Sequence, residues 1–304
     1  MAAEVVSIGA SDAYYLELDV ERTPSASGLI ALADTDCRLY LHDLATLRLL
    51  AHAGAAHGAR VNGVALCGAP ARLLSASEDG HLKVWDPLQG LTRAAMDLPV
   101  PPPADPSADP AVTGLELYAC AGDAAGAVAA AGGEGRVLLW DLRRPEAPLR
   151  DLDDVHTDAV TALRLLDGGP GPGPRLLTGA QDGLLCSVDG GAHNPEEAVA
   201  AVCNVGDGVV RVAEWPRAGQ EGAADLGRAV VLTATDEVGC WDLSSGLRAG
   251  LWGRARAPGG ESLFEEDGAP GPAGETRGVL AQADALVDAL VVPGPAAGPA
   301  LLVV

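Results

Sequence analysis

Short apolar segments alternate with turn residues along most of this chain. In residues 73–85, LLSASEDGHLKVW, an Asp-Gly pair separates two stretches in which apolar and polar side chains alternate. Alternation with a period of two is typical of a strand with one buried face, and Asp-Gly supplies the positive φ angles that a tight hairpin turn requires. We therefore predict two antiparallel strands joined at Asp79 and Gly80.

The ending of this hairpin recurs along the chain. Five segments of this kind each close on an aspartate, at intervals of 43 to 55 residues, and three of these aspartates directly follow a tryptophan. An acidic residue lies six or seven positions before each of these endings. The closing aspartates are Asp43, Asp86, Asp141, Asp189 and Asp242. The spacing predicts a repeat of the same small β-unit.

A hairpin that repeats at this spacing and ends in Trp-Asp resembles the WD-repeat β-propeller family, in which each blade has four strands. Several segments further resemble, in order, the WD repeat-containing protein 89 group, most distinctively residues 194–215, NPEEAVAAVCNVGDGVVRVAEW. The resemblance implies an all-β propeller whose family ring has seven blades. On this comparison the chain supplies about five to six blades, and we expect it to be incomplete at its C-terminal end. The alternative is that a partner completes the ring.

We expect residues 1–304 to form one propeller domain. Its repeats are longer than those of the family because of insertions rich in proline and glycine, which cannot bury enough apolar surface to order a segment. We place these insertions in loops at residues 98–111, 168–174, 253–277 and 293–300.

The family resemblance also implies a chain of hydrogen bonds inside a blade, formed by a histidine, a serine or threonine, an aspartate and a tryptophan. The second repeat supplies His57, Ser75, Asp79 and Trp85. The fourth repeat supplies His156, Thr178 and Asp182, with Val188 in the place of the tryptophan. A buried polar network is stable when every member has a partner, so we assign these residues a structural role.

The other repeats depart from this pattern. The third keeps Glu134 and Trp140 without an evident histidine, and the fifth has Asp236 and Trp241 with a turn that is one residue shorter.

A serine, a histidine and an aspartate could instead form a hydrolase triad. However, the chain has no G-x-S-x-G, no G-x-x-x-x-G-K-[ST] and no H-E-x-x-H motif. Its histidines are scattered and show no cluster that would line a central channel. We therefore predict no enzymatic activity, no catalytic residues, no cofactor and no metal site.

The charge of the chain bears on its partners. With 42 acidic and 20 basic residues, the formal net charge is −22, and Lys83 is the only lysine. Binding to nucleic acid depends on clustered basic residues, so this composition argues against it. Basic peptides or basic patches of other proteins are favoured partners. The alternative is that the charge serves only solubility.

The sequence offers no targeting or membrane signal. The first 20 residues lack a basic region followed by a long apolar run, and the apolar residues 279–304 are interrupted by aspartates and prolines. The six cysteines form no C-x-x-C pair, and we expect them to be reduced and buried in strands. These features predict an intracellular protein, in the cytoplasm, the nucleus or both, without membrane contact.

Two functions remain open. The first is a non-enzymatic scaffold for protein–protein interaction. The second is a substrate receptor of a cullin–RING ubiquitin ligase, because residues 128–143, VAAAGGEGRVLLWDLR, resemble the docking box of WD-repeat receptors. In that box Trp140, Asp141 and Arg143 match the pattern, while Ala129 replaces a large apolar residue. The resemblance implies that Arg143 contacts the ligase adaptor, but Trp-Asp-x-Arg also occurs in ordinary blades.

Overall fold

Among the residues that the structure describes, five four-stranded antiparallel sheets follow one another in chain order. The computed structural model describes residues 13–20, 28–102, 115–166, 173–192, 195–214, 227–254, 290–292 and 300–302. In every sheet the strands are hydrogen-bonded in the order in which they occur in the sequence. Repetition of this meander confirms the predicted all-β class and matches the four-stranded blades of a β-propeller.

The strands of each sheet have the following bounds. Sheet 1 contains β1 (Tyr15–Val20), β2 (Leu29–Asp34), β3 (Leu39–Asp43) and β4 (Leu49–Ala53). Sheet 2 contains β5 (Val61–Cys67), β6 (Arg72–Ser77), β7 (His81–Trp85) and β8 (Met96–Pro99). Sheet 3 contains β9 (Ala119–Gly122), β10 (Val128–Gly132), β11 (Val137–Asp141) and β12 (Arg150–Leu152).

The remaining elements follow in the same way. Sheet 4 contains β13 (Val160–Leu166), β14 (Arg175–Ala180), β15 (Leu184–Asp189) and β16 (Val199–Asn204). Sheet 5 contains β17 (Val209–Glu214), β18 (Arg228–Thr233), β19 (Glu237–Asp242) and β20 (Leu247–Arg254). A two-stranded sheet pairs β21 (Leu290–Val292) with β22 (Ala300–Leu302), and the short helices are a 3-10 turn at Pro87–Gln89 and α1 (Pro195–Ala198).

The chain divides into two compact units. One comprises residues 1–134 and 138–151, with sheets 1 and 2 and most of sheet 3; the other comprises residues 135–137 and 152–304, with sheets 4 and 5. The single domain expected over residues 1–304 stays a prediction.

Apolar side chains fill the space between neighbouring sheets within each unit. In β6, Leu73 belongs to a core cluster shared with sheet 1, and Leu74 belongs to a cluster shared with sheet 3. Successive side chains of a strand point to opposite faces, so one buried strand supplies both cores. Sheets 4 and 5 enclose a separate cluster around Leu177, Cys203 and Trp241.

The turn between the second and third strands has three or four residues, and one position in it has the same backbone conformation in all five sheets. The third residue after the second strand always has a positive φ angle. These residues are Cys37 (59°), Gly80 (79°), Gly135 (63°), Gly183 (76°) and Asp236 (63°). Glycine suits this conformation because it has no Cβ, so three of the five positions hold glycine.

Two turn predictions are corrected by this geometry. Of the Asp79 and Gly80 pair, only Gly80 has a positive φ, because its N–H closes a turn on Ser77 and the loop therefore has three residues. In sheet 5, Asp236 occupies the position of Gly80, and Thr235 occupies the position of Asp79. The prediction of a shorter fifth turn is therefore wrong.

The predicted insertions lie mostly outside the described residues. The first was placed at residues 98–111, but Leu98 and Pro99 belong to β8. Leu98 is buried, and Pro99 lies opposite His81 at the end of an edge strand, where a missing N–H is tolerated. The predicted loop therefore begins two residues later, at Val100.

Candidate functional site

Three buried side chains and one partly buried carboxylate of the second repeat form a continuous hydrogen-bonded chain. His57 Nδ1 lies 3.0 Å from Asp79 Oδ2, and His57 Nε2 lies 2.7 Å from Ser75 Oγ. Trp85 Nε1 donates to the same Ser75 oxygen at 2.9 Å. A neutral imidazole would donate to Asp79 and accept from Ser75, which leaves the Ser75 oxygen free to accept from Trp85.

The environment keeps this network in one protonation state. Burial lowers the pKa of His57 below 6.5, although the charge of Asp79 acts in the opposite direction. Burial alone would raise the pKa of Asp79, but the N–H of Gly58 and the His57 ring lower it overall. The carboxylate also accepts from the backbone N–H of His81, so it is held from three sides.

The network of sheet 4 has three members. His156 Nδ1 lies 3.1 Å from Asp182 Oδ2, and His156 Nε2 lies 2.8 Å from Thr178 Oγ1. Burial lowers the pKa of His156 in the same way as that of His57. Val188 is fully buried in the place where sheet 2 has Trp85. The hydroxyl of Thr178 and that of Ser75 are both fully buried, so neither is open to a substrate.

Sheet 5 carries a different link between its turns, which the sequence analysis missed. Asp207 precedes β17, and its Oδ2 accepts from both the N–H and the hydroxyl of Thr235 at 3.0 and 2.7 Å. In sheet 2 the acid is Asp79, which lies in the hairpin turn and accepts from residues before the first strand. In sheet 5 the acid lies before the first strand and the donor, Thr235, lies in the hairpin turn. The sequence does contain a signal for this link, because Thr235 stands at the turn position where the other repeats have an acidic residue.

The aspartate that closes each repeat organises the turn that follows it. Asp86 accepts from the N–H of Leu88, and Asp189 accepts from the N–H of Gly191, each two residues ahead. Asp242 accepts from Ser244 in the same way. Such side-chain acceptors stabilise a turn directly. The recurrent aspartate therefore has a local structural function before the fourth strand.

Two of the residues that match the predicted docking box, Trp140 and Arg143, differ in exposure. Trp140 is 1% exposed, whereas the Arg143 side chain is 75% exposed. The guanidinium of Arg143 donates from Nε and Nη2 to the two carboxylate oxygens of Asp141, both at 2.8 Å. These bonds hold the pKa of Asp141 at about 2. The pair fixes the direction of the arginine while its remaining donors face away from Asp141.

Three exposed carboxylates approach one tyrosine in the first compact unit. Tyr118 donates its hydroxyl to Glu116 Oε2 at 2.6 Å. Burial raises the pKa of Tyr118, and Glu116, Glu134 and Glu78 raise it further through their charges. We call Glu78, Glu116 and Glu134 the acidic patch. Because its members come from separate segments, their proximity is not visible in the sequence.

The cysteines are free thiols. Five are buried, and burial raises the pKa of Cys67 and of Cys186 to about 12, which disfavours the reactive thiolate. Cys37 corrects the expectation that all six lie in strands, because it occupies the positive-φ position of the first hairpin turn.

No group of three or more potential metal ligands occurs among the described residues. Within the same part of the chain, no helix has the length and hydrophobicity to cross a membrane.

Comparisons with known proteins identify the repeat. Residues 48–86, which include the four-member network of sheet 2 from its histidine to its tryptophan, match the family model of the WD domain, G-beta repeat. Over 249 residues the chain is 25% identical to the WD repeat-containing protein 89 homolog of Dictyostelium discoideum. This similarity covers 82% of the chain and 60% of the relative's length.

Proposed function

Because this chain is a WD-repeat protein, a class that supports protein interaction, we propose that it is a non-enzymatic scaffold that binds basic segments of other proteins. The observation that carries the proposal is the acidic patch, whose three carboxylates are exposed. Glu116 accepts from the hydroxyl of Tyr118, Asn62 donates both to Glu78 and to the carbonyl of Leu117 beside that tyrosine, and the charge of Glu134 raises the pKa of Tyr118. Rigid repeats present such side chains on short turns at fixed positions.

The charge of the chain supports this partner class. A formal net charge of −22 attracts basic segments over a distance, and local carboxylates then select among them. The free cysteines are consistent with the reducing compartment of our proposed intracellular location. Neither nucleic acid nor a membrane surface offers the positive charge that this patch requires.

A peptide-binding measurement tests the proposal. We would titrate the chain into a fluorescent nine-residue arginine peptide and follow the anisotropy, with a glycine-serine peptide as the uncharged control. Replacing the three patch carboxylates by glutamine should weaken binding about tenfold, and raising NaCl from about 50 to about 500 mM should weaken it further.

The matched control removes the same number of charges elsewhere. Glu146→Gln, Asp154→Asn and Glu197→Gln alter three exposed acids outside the patch. If both triple variants lose the same affinity, the patch has no special role, and binding depends on the net charge of the chain rather than on these three carboxylates.

A second candidate function is that of a cullin–RING substrate receptor. The exposed Arg143, which Asp141 holds in one direction, supports it, because a planar guanidinium with free donors can make several hydrogen bonds to an adaptor. The buried Trp140 would then act by supporting the strand rather than by contact.

Affinity capture followed by mass spectrometry tests the second candidate. We expect the ligase adaptor to be captured by the unmodified chain and by Arg144→Ala, which changes the neighbouring exposed arginine, but not by Arg143→Ala. Adaptor capture that survives Arg143→Ala, or that is absent throughout, contradicts this function.

A further inference from the structure

A groove of about 640 Å³ lies between sheets 1 and 2. One wall is formed by the end of β4 and residues 54–56, and the other by β7 and residues 91–97. Its volume is within the range of roughly 300–1,000 Å³ that small-molecule sites occupy. Neither the acidic patch nor the docking box contributes to its lining, so the groove is independent of the proposed function.

Basic side chains predominate in the groove. His52, Lys83 and Arg93 line it together with a single acidic residue, Asp97. The Oδ1 atom of Asp97 lies 2.6 Å from Nδ1 of His81, so this carboxylate already has a hydrogen-bond partner. A local excess of basic groups stands out in a chain whose formal net charge is −22.

The two permanently basic residues keep donors available. Lys83, the only lysine of the chain, donates to the carbonyl oxygen of Ala56 at 2.7 Å, which fixes the position of its ammonium group and uses one of its three N–H bonds. Arg93 is exposed and makes no hydrogen bond or ion pair with another residue that the structure describes. Both groups can therefore donate to an oxyanion.

The floor of the groove is apolar. Trp85 and Leu91 line it, belong to the core cluster shared with sheet 1, and are 4% and 1% exposed. The indole N–H of Trp85 is satisfied by Ser75, so the ring contributes apolar surface rather than a free donor. The apolar lining that remains accessible to a ligand comes from Ala55, Ala94 and Ala95, which are exposed or half-buried, and an apolar or aromatic body would bury it.

We propose that this groove binds a small oxyanion attached to an aromatic or apolar body, with Lys83 and Arg93 at the charged group and the alanines Ala55, Ala94 and Ala95 against the body. Phosphate and carboxylate share the chemistry that the two basic residues recognise. The net charge of the chain repels anions at long range, so binding depends on these local contacts.

Calorimetric titration of the full chain tests the proposal with phenyl phosphate and benzoate as probes. We expect at least one of them to bind saturably at one site, and the stronger of the two identifies the oxyanion. Inorganic phosphate, which lacks the ring, and benzyl alcohol, which lacks the charge, should each bind more weakly than phenyl phosphate or benzoate.

Single substitutions locate the site. Arg93→Gln and Lys83→Met should each weaken binding of the preferred probe about tenfold, whereas Arg144→Gln, an exposed arginine of sheet 3, should leave it unchanged. Arg93 has no partner to lose within the described structure, so Arg93→Gln should retain the melting temperature even if Lys83→Met lowers it. The proposal is overturned by absence of saturable binding up to about 10 mM, or by an affinity in both groove variants equal to that of the unmodified chain.

Discussion

Two buried serine hydroxyls differ in whether they have a hydrogen-bond partner. Ser75 and Ser187 are both fully buried. Ser75 bonds to His57 and to Trp85, whereas the hydroxyl of Ser187 has no hydrogen-bond partner among the described residues. A buried polar group stabilises the fold only when its partners are in place, so the same residue type has opposite effects at the two sites.

The replacement of each serine by alanine tests this difference. Ser75→Ala leaves the His57 ring and the Trp85 indole without their partner, and we expect it to lower the free energy of unfolding by about 2–3 kcal/mol. Ser187→Ala removes an unpaired hydroxyl and should be neutral or slightly stabilising. Urea unfolding measures both changes, and equal losses would contradict the assignment of the network.

The buried histidines predict a dependence of stability on pH. The pKa values of His57 and His156 are lowered in the fold, so the unfolded chain binds more protons once the pH falls below about 6.5. Stability should therefore be greatest above that pH and decline as the pH falls towards the folded pKa values. The lowered pKa values of Asp79 and Asp182 add a further loss under more acidic conditions.

Melting temperatures at about pH 7.5 and about pH 5.5 test this dependence. The unmodified chain should lose stability between the two, and the double variant His57→Gln, His156→Gln should lose less because it lacks the titrating rings. NMR titration of the imidazoles provides a check that needs no variant, since midpoints above 6.5 would refute the direction of the shift.

At the scale of the element, the turns after the third strands of sheets 1 and 5 place different residues in the same backbone conformation. Leu47 has a φ angle of 56°, and its N–H donates to the carbonyl of Asp43 at 2.8 Å. Gly246 has a φ angle of 69° and donates to Asp242 at 2.9 Å. Sheet 1 therefore places a branched side chain in a left-handed conformation that sheet 5 assigns to glycine.

Reciprocal substitutions measure the cost of this conformation. Leu47→Gly should raise the free energy of unfolding by about 0.5–1 kcal/mol, because relief of the strain exceeds the entropy that glycine loses on folding. Gly246→Ala should lower it by about 1 kcal/mol. Chemical denaturation compares the two, and a destabilised Leu47→Gly variant would show that the leucine side chain contributes more than its backbone costs.

The elements that sequence analysis predicted best are the hairpins formed by the second and third strands. Around Asp79 and Gly80 the turn chemistry, the alternation and the closing Trp-Asp all favour one structure. The fifth hairpin was misjudged because Asp236 has two possible alignments, and only its positive φ shows that it replaces a glycine. Prediction from local sequence fails where a residue such as Asp236 occupies a turn position that usually holds another residue type.

Sites built from separate segments were harder to predict. The residues of the sheet 2 network could be chosen in advance because the WD-repeat resemblance assigns them to positions in one repeat. The acidic patch joins Glu78, Glu116 and Glu134 across three segments, and the groove joins His52 to Arg93 across two sheets. Their proximity depends on how the sheets pack together. The alternation of apolar residues along one strand carries no information about the distance to another sheet.

At the scale of the whole molecule, charge is the dominant feature that no single sheet explains. The chain has 42 acidic residues against 20 basic ones. Repulsion among like charges in a compact state lowers its stability, and dissolved ions screen that repulsion. The same charge that attracts basic partners therefore lowers the stability of the unbound protein.

The salt dependence of melting tests this cost. We expect the melting temperature to rise by a few degrees between about 10 and about 300 mM NaCl. KCl at the same ionic strength should have the same effect, because screening depends on ionic strength rather than on the identity of the cation. A melting temperature that falls with salt would show that attractive ion pairs outweigh the net repulsion.

The single lysine has a consequence for covalent chemistry. Acetyl, methyl and ubiquitin groups are joined to lysine amines, and within these 304 residues only Lys83 offers a side-chain amine. Its hydrogen bond to Ala56 places that amine in the groove rather than on an open loop. Acylation of a side-chain amine in these 304 residues can therefore occur only at Lys83. One added acyl group would remove a positive charge from the groove and leave the arginines unchanged.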